Sequence, residues 1–199
     1  LGTREEIFQL LKPTQSLLAL LLTQGAKKMA EYHVQHTGMG NSDLGIICGE
    51  LSSIEQKQLF EYFQQGLKQL YWQVNIEQAQ WRKLAINCVI NPLTSIENIE
   101  NGQVIQPKYR ETIRSVIEEV VKVAAKEGVN LTELSLLNLV TKVAQNTSRN
   151  TSSMRADRLA KRYTEIEYIN GYIHRLGEKH QLATPKNTQL WLAIKAFKS

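Results

Sequence analysis

The chain has 199 residues, 42% of them apolar and 22% charged, with 24 basic and 19 acidic side chains and a net charge of +5. That composition excludes intrinsic disorder, collagen-like repeats and low-complexity classes, and it fits one large or two small globular domains. The basic excess is mild and scattered, with no aromatic platform interleaved. It argues against a nucleic-acid partner and suits an anionic small-molecule substrate.

In chain order, residues 17–23 open on six consecutive apolar side chains, Leu17 to Leu22, and read as a buried strand. Six residues fall far short of the ~20 that a membrane-spanning helix needs, so no membrane partner is expected. No leader pattern is visible, and Cys48 and Cys88 show neither metal nor disulfide spacing. His33, His36, His174 and His180 match no metal motif, so the expectation is no metal site and a reducing, cytoplasmic setting. Residues 32–37 and 44–48 are further strand candidates, separated by the turn chemistry of Gly38-Met39-Gly40-Asn41-Ser42. Ser52 and Glu55 form a capping-box pattern ahead of a helix with Leu59, Phe60, Phe63, Leu67 and Leu70 at helical spacings. Residues 71–76 read as a last short strand.

Everything after residue 76 reads as helix: 78–91, 107–128, 132–145, 152–161, 164–179 and 188–197. Pro107 and Gly128 bracket the second of these, and Thr164 with Glu167 gives the fifth a capping-box pattern. Residues 1–75 supply too few helices to cover a buried strand on both faces. They read as the tail of a larger α/β domain whose first part is missing or supplied by another chain.

Four segments could carry chemistry. In the first helical stretch, Lys83, Asn87 and Asn91 span only ~80° of the circumference, among apolar neighbours. That stripe is either a solvated face or the wall of a polar cleft. Pro92 denies the Cys88 carbonyl its usual donor, so the helix is expected to end or kink at Asn91. Ser153 and Asp157 are i, i+4 neighbours at a helix start, in a basic setting with Arg155, Arg158, Lys161 and Arg162. Ordinary N-capping and anion binding both explain them. Glu165 in a first helical turn and Asn101-Gly102 in a turn have plain structural explanations as well.

The order and wording of these segments resemble the ketopantoate reductase (2-dehydropantoate 2-reductase) family. The resemblance rests on WRKLAINCVINPLTS at residues 81–95, ENGQ, NTSSMRAD, TEIEYINGY and the His180-to-Thr188 ending. Thr23-Gln24-Gly25-Ala26 stands in the place of the family's Thr-His-Gly/Ala-Ala segment. The resemblance implies an α/β remnant, the last strands and helix of a Rossmann-type NADP-binding domain, over residues 1–76. Residues 77–199 would form an all-α C-terminal domain of the 6-phosphogluconate dehydrogenase C-terminal-like type. It implies NADPH as cofactor and ketopantoate as substrate. Lys83 matches the catalytic lysine; Asn87, Asn91, Asn101, Ser153 and, more loosely, Asp157 match substrate contacts; Ala26 and Glu165 match cofactor contacts. Such a lysine polarises the keto oxygen and protonates the alkoxide.

The family's Gly-x-Gly-x-x-Gly fingerprint is absent from these 199 residues. The chain alone is therefore expected to bind NADPH poorly and to lack turnover, with the remaining segment or a homo-oligomer as partner. Two other readings stay open: a reductase of the same architecture for another 2-keto acid, and a non-catalytic helical interaction module.

Overall fold

The computed structural model describes residues 7–197, apart from the Lys27 side chain. They divide into two compact units between Gln80 and Trp81. The first holds five strands: β1 (Leu17–Leu22), β2 (Gly25–Ala30), β3 (His33–Gly38), β4 (Ser42–Cys48) and β5 (Leu70–Trp72). β4 is the central strand of a three-stranded sheet, antiparallel to β1 and parallel to β5. β2 and β3 pair separately as an antiparallel hairpin.

Several expectations change here. β2 carries no strand signal, because Gly-Ala-Lys-Lys-Met-Ala lacks the β-branched content of a strand; its pairing with β3 is what makes it one. The last strand is shorter than residues 71–76, and Ile76 already begins a helix. The apolar run of β1 is only partly covered: Leu20 and Leu22 are 36% and 43% exposed. The helix α1 (Ser53–Gln64) starts on the expected capping box, with Glu55 N–H donating to Ser52 Oγ and Ser52 N–H to Glu55 Oε2 at 2.8 Å.

The helix α2 (Ile76–Glu97) crosses the division and continues past Pro92. The expected end at Asn91 is therefore corrected. In the second unit, α3 (Arg110–Lys126) buries Ile113, Val116, Ile117, Val120 and Val123, at the spacing of one helical face. It is followed by Gly128 at φ +80°, a backbone state that glycine adopts without strain. Then come α4 (Glu133–Asn146), capped by Thr132, and α5 (Ser153–Leu159), capped by Ser152.

Residues 164–179 do not form one helix. A 3-10 turn at Glu165–Tyr168 is followed, after a break at Ile169, by α6 (Asn170–Lys179), and the Thr164 side chain makes no capping bond. The last helix, α7 (Pro185–Lys195), starts earlier than expected, with proline in its first turn where a missing N–H costs nothing. The core of this unit gathers Trp81, Val89, Val104, Ile117, Val120, Met154 and Ile173. Among the described residues, no strand follows β5, no helix is long and apolar enough to cross a membrane, and no acidic, histidine and cysteine cluster could hold a metal ion.

Candidate active site

The site is built on α2. Lys83, Asn87 and Asn91 lie in register on one stripe of it. Lys83 and Asn87 are half-buried, and Asn91 is buried. Burial pushes the Lys83 ammonium below the ordinary lysine pKa, while the negative charge of Glu165 draws it back up. The structure thus brings the start of the 3-10 turn at Glu165 into electrostatic range of the middle of α2. Glu165 itself is exposed.

The segment carrying Ser153 is fastened to the same helix one turn further on. Thr94 Oγ1 and Ser152 Oγ are 2.6 Å apart and buried. One proton order satisfies both: the Ser152 hydroxyl donates to Thr94, and Thr94 donates to the Ile90 carbonyl at 2.7 Å. Ser152 Oγ then keeps a lone pair for the Arg155 N–H at 3.2 Å. Ser152 is the cap, so Ser153 is released from capping and stands exposed at the first position of α5. Asp157 is held by Arg162, whose Nε and Nη2 donate to its Oδ1 at 3.0 and 2.8 Å.

Asn101 sits in the 3-10 turn Asn101–Ile105, pinned to the same region. Its N–H donates to the Asn150 carbonyl at 3.1 Å, and its Nδ2 to Thr147 Oγ1 at 3.1 Å. Its Oδ1 is buried with no hydrogen-bond donor. Gly102 lets this turn close on the Ser148 backbone, where a Cβ would lie 2.9 Å from Ser148 Cα. Arg155 Nε reaches Asn98 Oδ1 at 3.0 Å, a second tie between the end of α2 and α5. Ala26 belongs to the first unit, exposed on β2 opposite His36.

The sequence did not disclose what supports α2 from behind. The carbonyl of Cys88, deprived of its donor by Pro92, accepts from Asn170 Nδ2 at 3.0 Å. Asn170 also donates to Asn187 Oδ1 at 3.0 Å, and Asn187 Nδ2 donates to Glu119 Oε2 at 2.7 Å. Glu119 further accepts the N–H groups of Lys186 and Asn187 at 2.8 and 2.9 Å, capping α7. A carboxylate only accepts, so it fixes the orientation of Asn187, which fixes that of Asn170. The only sequence signal for this chain was the orphan carbonyl itself. Burial, with Glu119 nearby, pushes the Cys88 thiol far up, so it is not a nucleophile.

The chain matches a family model described as the C-terminal part of ketopantoate reductase PanE/ApbA over residues 75–198. It is 37% identical over 181 residues to the 2-dehydropantoate 2-reductase of Vibrio cholerae, covering 88% of this chain and 58% of that protein. The Yersinia pestis 2-dehydropantoate 2-reductase is 35% identical over 199 residues, all of this chain and 63% of that one. The chain thus spans about three-fifths of the length of these relatives. Among solved structures, the ternary complex of D-mandelate dehydrogenase with NADH and anilino(oxo)acetate superposes with a TM-score of 0.87 at 24% identity, covering 98% of this chain and 64% of that one. The probable 2-dehydropantoate 2-reductase of Bacillus subtilis gives 0.82 at 23%, covering 99% and 66%. The fold is accordingly the end of a Rossmann-type domain followed by a helical C-terminal domain. The chain belongs to the ketopantoate reductase family.

Proposed function

We propose that the protein reduces 2-dehydropantoate to pantoate with NADPH, with residues 1–76 ending the nucleotide-binding domain and 77–199 forming the substrate domain. The observation that carries this reading is the half-buried Lys83 ammonium, lowered by burial and answered by Glu165. Lys83 is the proton donor. A hydride added to a ketone leaves negative charge on oxygen, and an ammonium already placed there stabilises and then protonates it. Partial desolvation strengthens that interaction and eases release of the proton.

The other residues bind. Asn87 and Asn91 line the same stripe and hydrogen-bond the substrate's oxygens. The buried, donorless Oδ1 of Asn101 fits a substrate hydroxyl, which supplies the missing donor. Ser153, freed by Ser152, offers its hydroxyl to the carboxylate. Asp157 is the looser of the substrate contacts, its carboxylate oriented by Arg162.

The reduced nicotinamide supplies the hydride when bound. Glu165 fits a cofactor role because its exposed carboxylate accepts from hydroxyls, and Ala26 because it is small and exposed on its strand. With no Gly-x-Gly-x-x-Gly in the 199 residues, we expect no steady-state turnover by this chain alone.

A second reading keeps the lysine and asparagines but changes the acid. It draws on the fold's likeness to D-mandelate dehydrogenase, solved with anilino(oxo)acetate. Comparing kcat/KM for a panel of 2-keto acids with the full-length protein decides: 2-dehydropantoate should lead, and an aryl 2-keto acid in first place would replace the reading.

A further inference from the structure

A cleft of about 290 Å3 lies between the end of α5, residues 161–164, the 3-10 turn at Glu165–Tyr168 and the last turns of α7. Lys83, Asn87, Asn91 and Asn101 are not among the residues that line it. Its walls carry Arg158, Lys161, Arg162 and Lys195 against the single carboxylate Glu167, four positive charges less one negative, or +3.

Two of the cations are engaged. Arg162 pairs with Asp157 at 2.8 Å, and Lys195 with Glu167 at 2.9 Å, where Arg175 also approaches at 3.4 Å. Arg158 and Lys161 are not ion-paired with any carboxylate among the described residues. Instead, the Arg158 guanidinium lies 4.5 Å over the Phe197 ring, and its Nε is buried without an acceptor. A cation held over a ring makes no hydrogen bond to it, so the terminal N–H groups of the guanidinium stay available to an oxyanion. Lys161 projects from a backbone at φ +52°, immediately after α5 ends, and is exposed. Below the charges the floor is apolar, with Ile166 and Ile194 each 4% exposed beside Phe197.

An oxyanion-binding rim over an apolar floor selects a molecule with both parts. The volume sits at the low end of ligand pockets, ~300–1,000 Å3, and so limits the body to about one ring or a short aliphatic group. The charge excess favours a dianion over a monoanion, and a phosphomonoester carries about −1.5 to −2 at neutral pH. We propose that this cleft is a second ligand site, for a small phosphomonoester whose phosphate is held by Arg158 and Lys161 and whose apolar body rests on Ile194 and Phe197. The proposal stands independently of the keto-acid reading.

Isothermal titration calorimetry of the full-length protein with phenyl phosphate tests it, with inorganic phosphate and phenol as partial ligands. The expected result is one equivalent of phenyl phosphate, bound more tightly than either partial ligand. The double variant Arg158→Gln/Lys161→Gln should weaken it at least about tenfold, as the loss of charge-assisted hydrogen bonds implies. Lys161→Gln alone changes an exposed side chain that the fold does not use, and should weaken binding about threefold or more. Lys83→Gln should leave binding unchanged. Absence of phenyl phosphate binding at millimolar concentration, equal binding by the folded double variant or by Lys161→Gln, binding no tighter than that of inorganic phosphate, or loss of binding in Lys83→Gln would each overturn the proposal.

Discussion

Asn170 Nδ2 donates, at 3.0 Å, to the one carbonyl in α2 that Pro92 leaves without a partner, that of Cys88. A proline inside a helix ordinarily costs ~3 kcal/mol and kinks it, because a hydrogen bond is lost and the ring crowds the carbonyl four residues back. Here a side chain from α6 replaces the lost donor, and α2 continues to Glu97. The turn holding Asn91 and Thr94 therefore keeps helical geometry.

The pairing makes a specific energetic prediction. Asn170→Ala strands a fully buried carbonyl and should cost about 2–3 kcal/mol in urea unfolding. In a Pro92→Ala background the backbone N–H restored at that position serves the carbonyl, so the same change should cost at least about 1 kcal/mol less. Equal costs in both backgrounds would show that the Asn170 bond does not substitute for the missing N–H.

Glu119 is expected to be as sensitive as a core residue. Its two oxygens accept three N–H bonds, two of them from the first turn of α7. Glu119→Gln replaces one acceptor with an NH2 that faces those donors and removes the charge that favours the helix N-terminus. A loss of about 2–4 kcal/mol in urea unfolding is expected. A loss under about 1 kcal/mol would mean that the amide is accommodated by rearrangement.

Glu165 should set the alkaline limit of Lys83. Its charge raises the Lys83 pKa, against the lowering caused by burial. Glu165→Gln removes only the raising influence, so the ammonium loses its proton at lower pH than in the unaltered protein. NMR titration of Lys83 Nζ in the variant should show this acid-ward shift. In the full-length protein the alkaline limb of kcat should move the same way, because the role proposed for Lys83 needs its protonated form. An unmoved or alkaline-shifted titration would contradict it.

Gly102→Ala should disturb Asn101 without touching α2. An added Cβ would lie 2.7 Å from Ser148 Cβ and 2.9 Å from Ser148 Cα, so the turn must retreat from residues 148–150. We expect about 1–3 kcal/mol of destabilisation and, in the full-length enzyme, a rise in KM larger than any fall in kcat. An unchanged KM would remove Asn101 from substrate binding.

Much of this was legible in the residues because it is local. The Ser52–Glu55 capping box and the Lys83-Asn87-Asn91 stripe depend on spacings of three or four residues. The illegible parts depend on partners far along the chain. The continuation of α2 past Pro92 needs Asn170, 82 residues from the Cys88 carbonyl it serves. The Thr164–Glu167 spacing matches a capping box, yet Glu167 pairs with Lys195 and Arg175, and the chain there forms a 3-10 turn. β2 has no strand composition and forms through its ladder to β3. The Lys83–Glu165 relationship was legible only as a resemblance, because nothing in local spacing ties a helix centre to a turn so much later in the chain.

The central claim is that Lys83 delivers the proton, and steady-state kinetics of the full-length protein with NADPH and 2-dehydropantoate test it most directly. Lys83→Ala should lower kcat by at least ~10², the usual worth of a positioned general acid, with the fold unchanged by circular dichroism. Turnover within a few-fold of the unaltered enzyme would contradict the account.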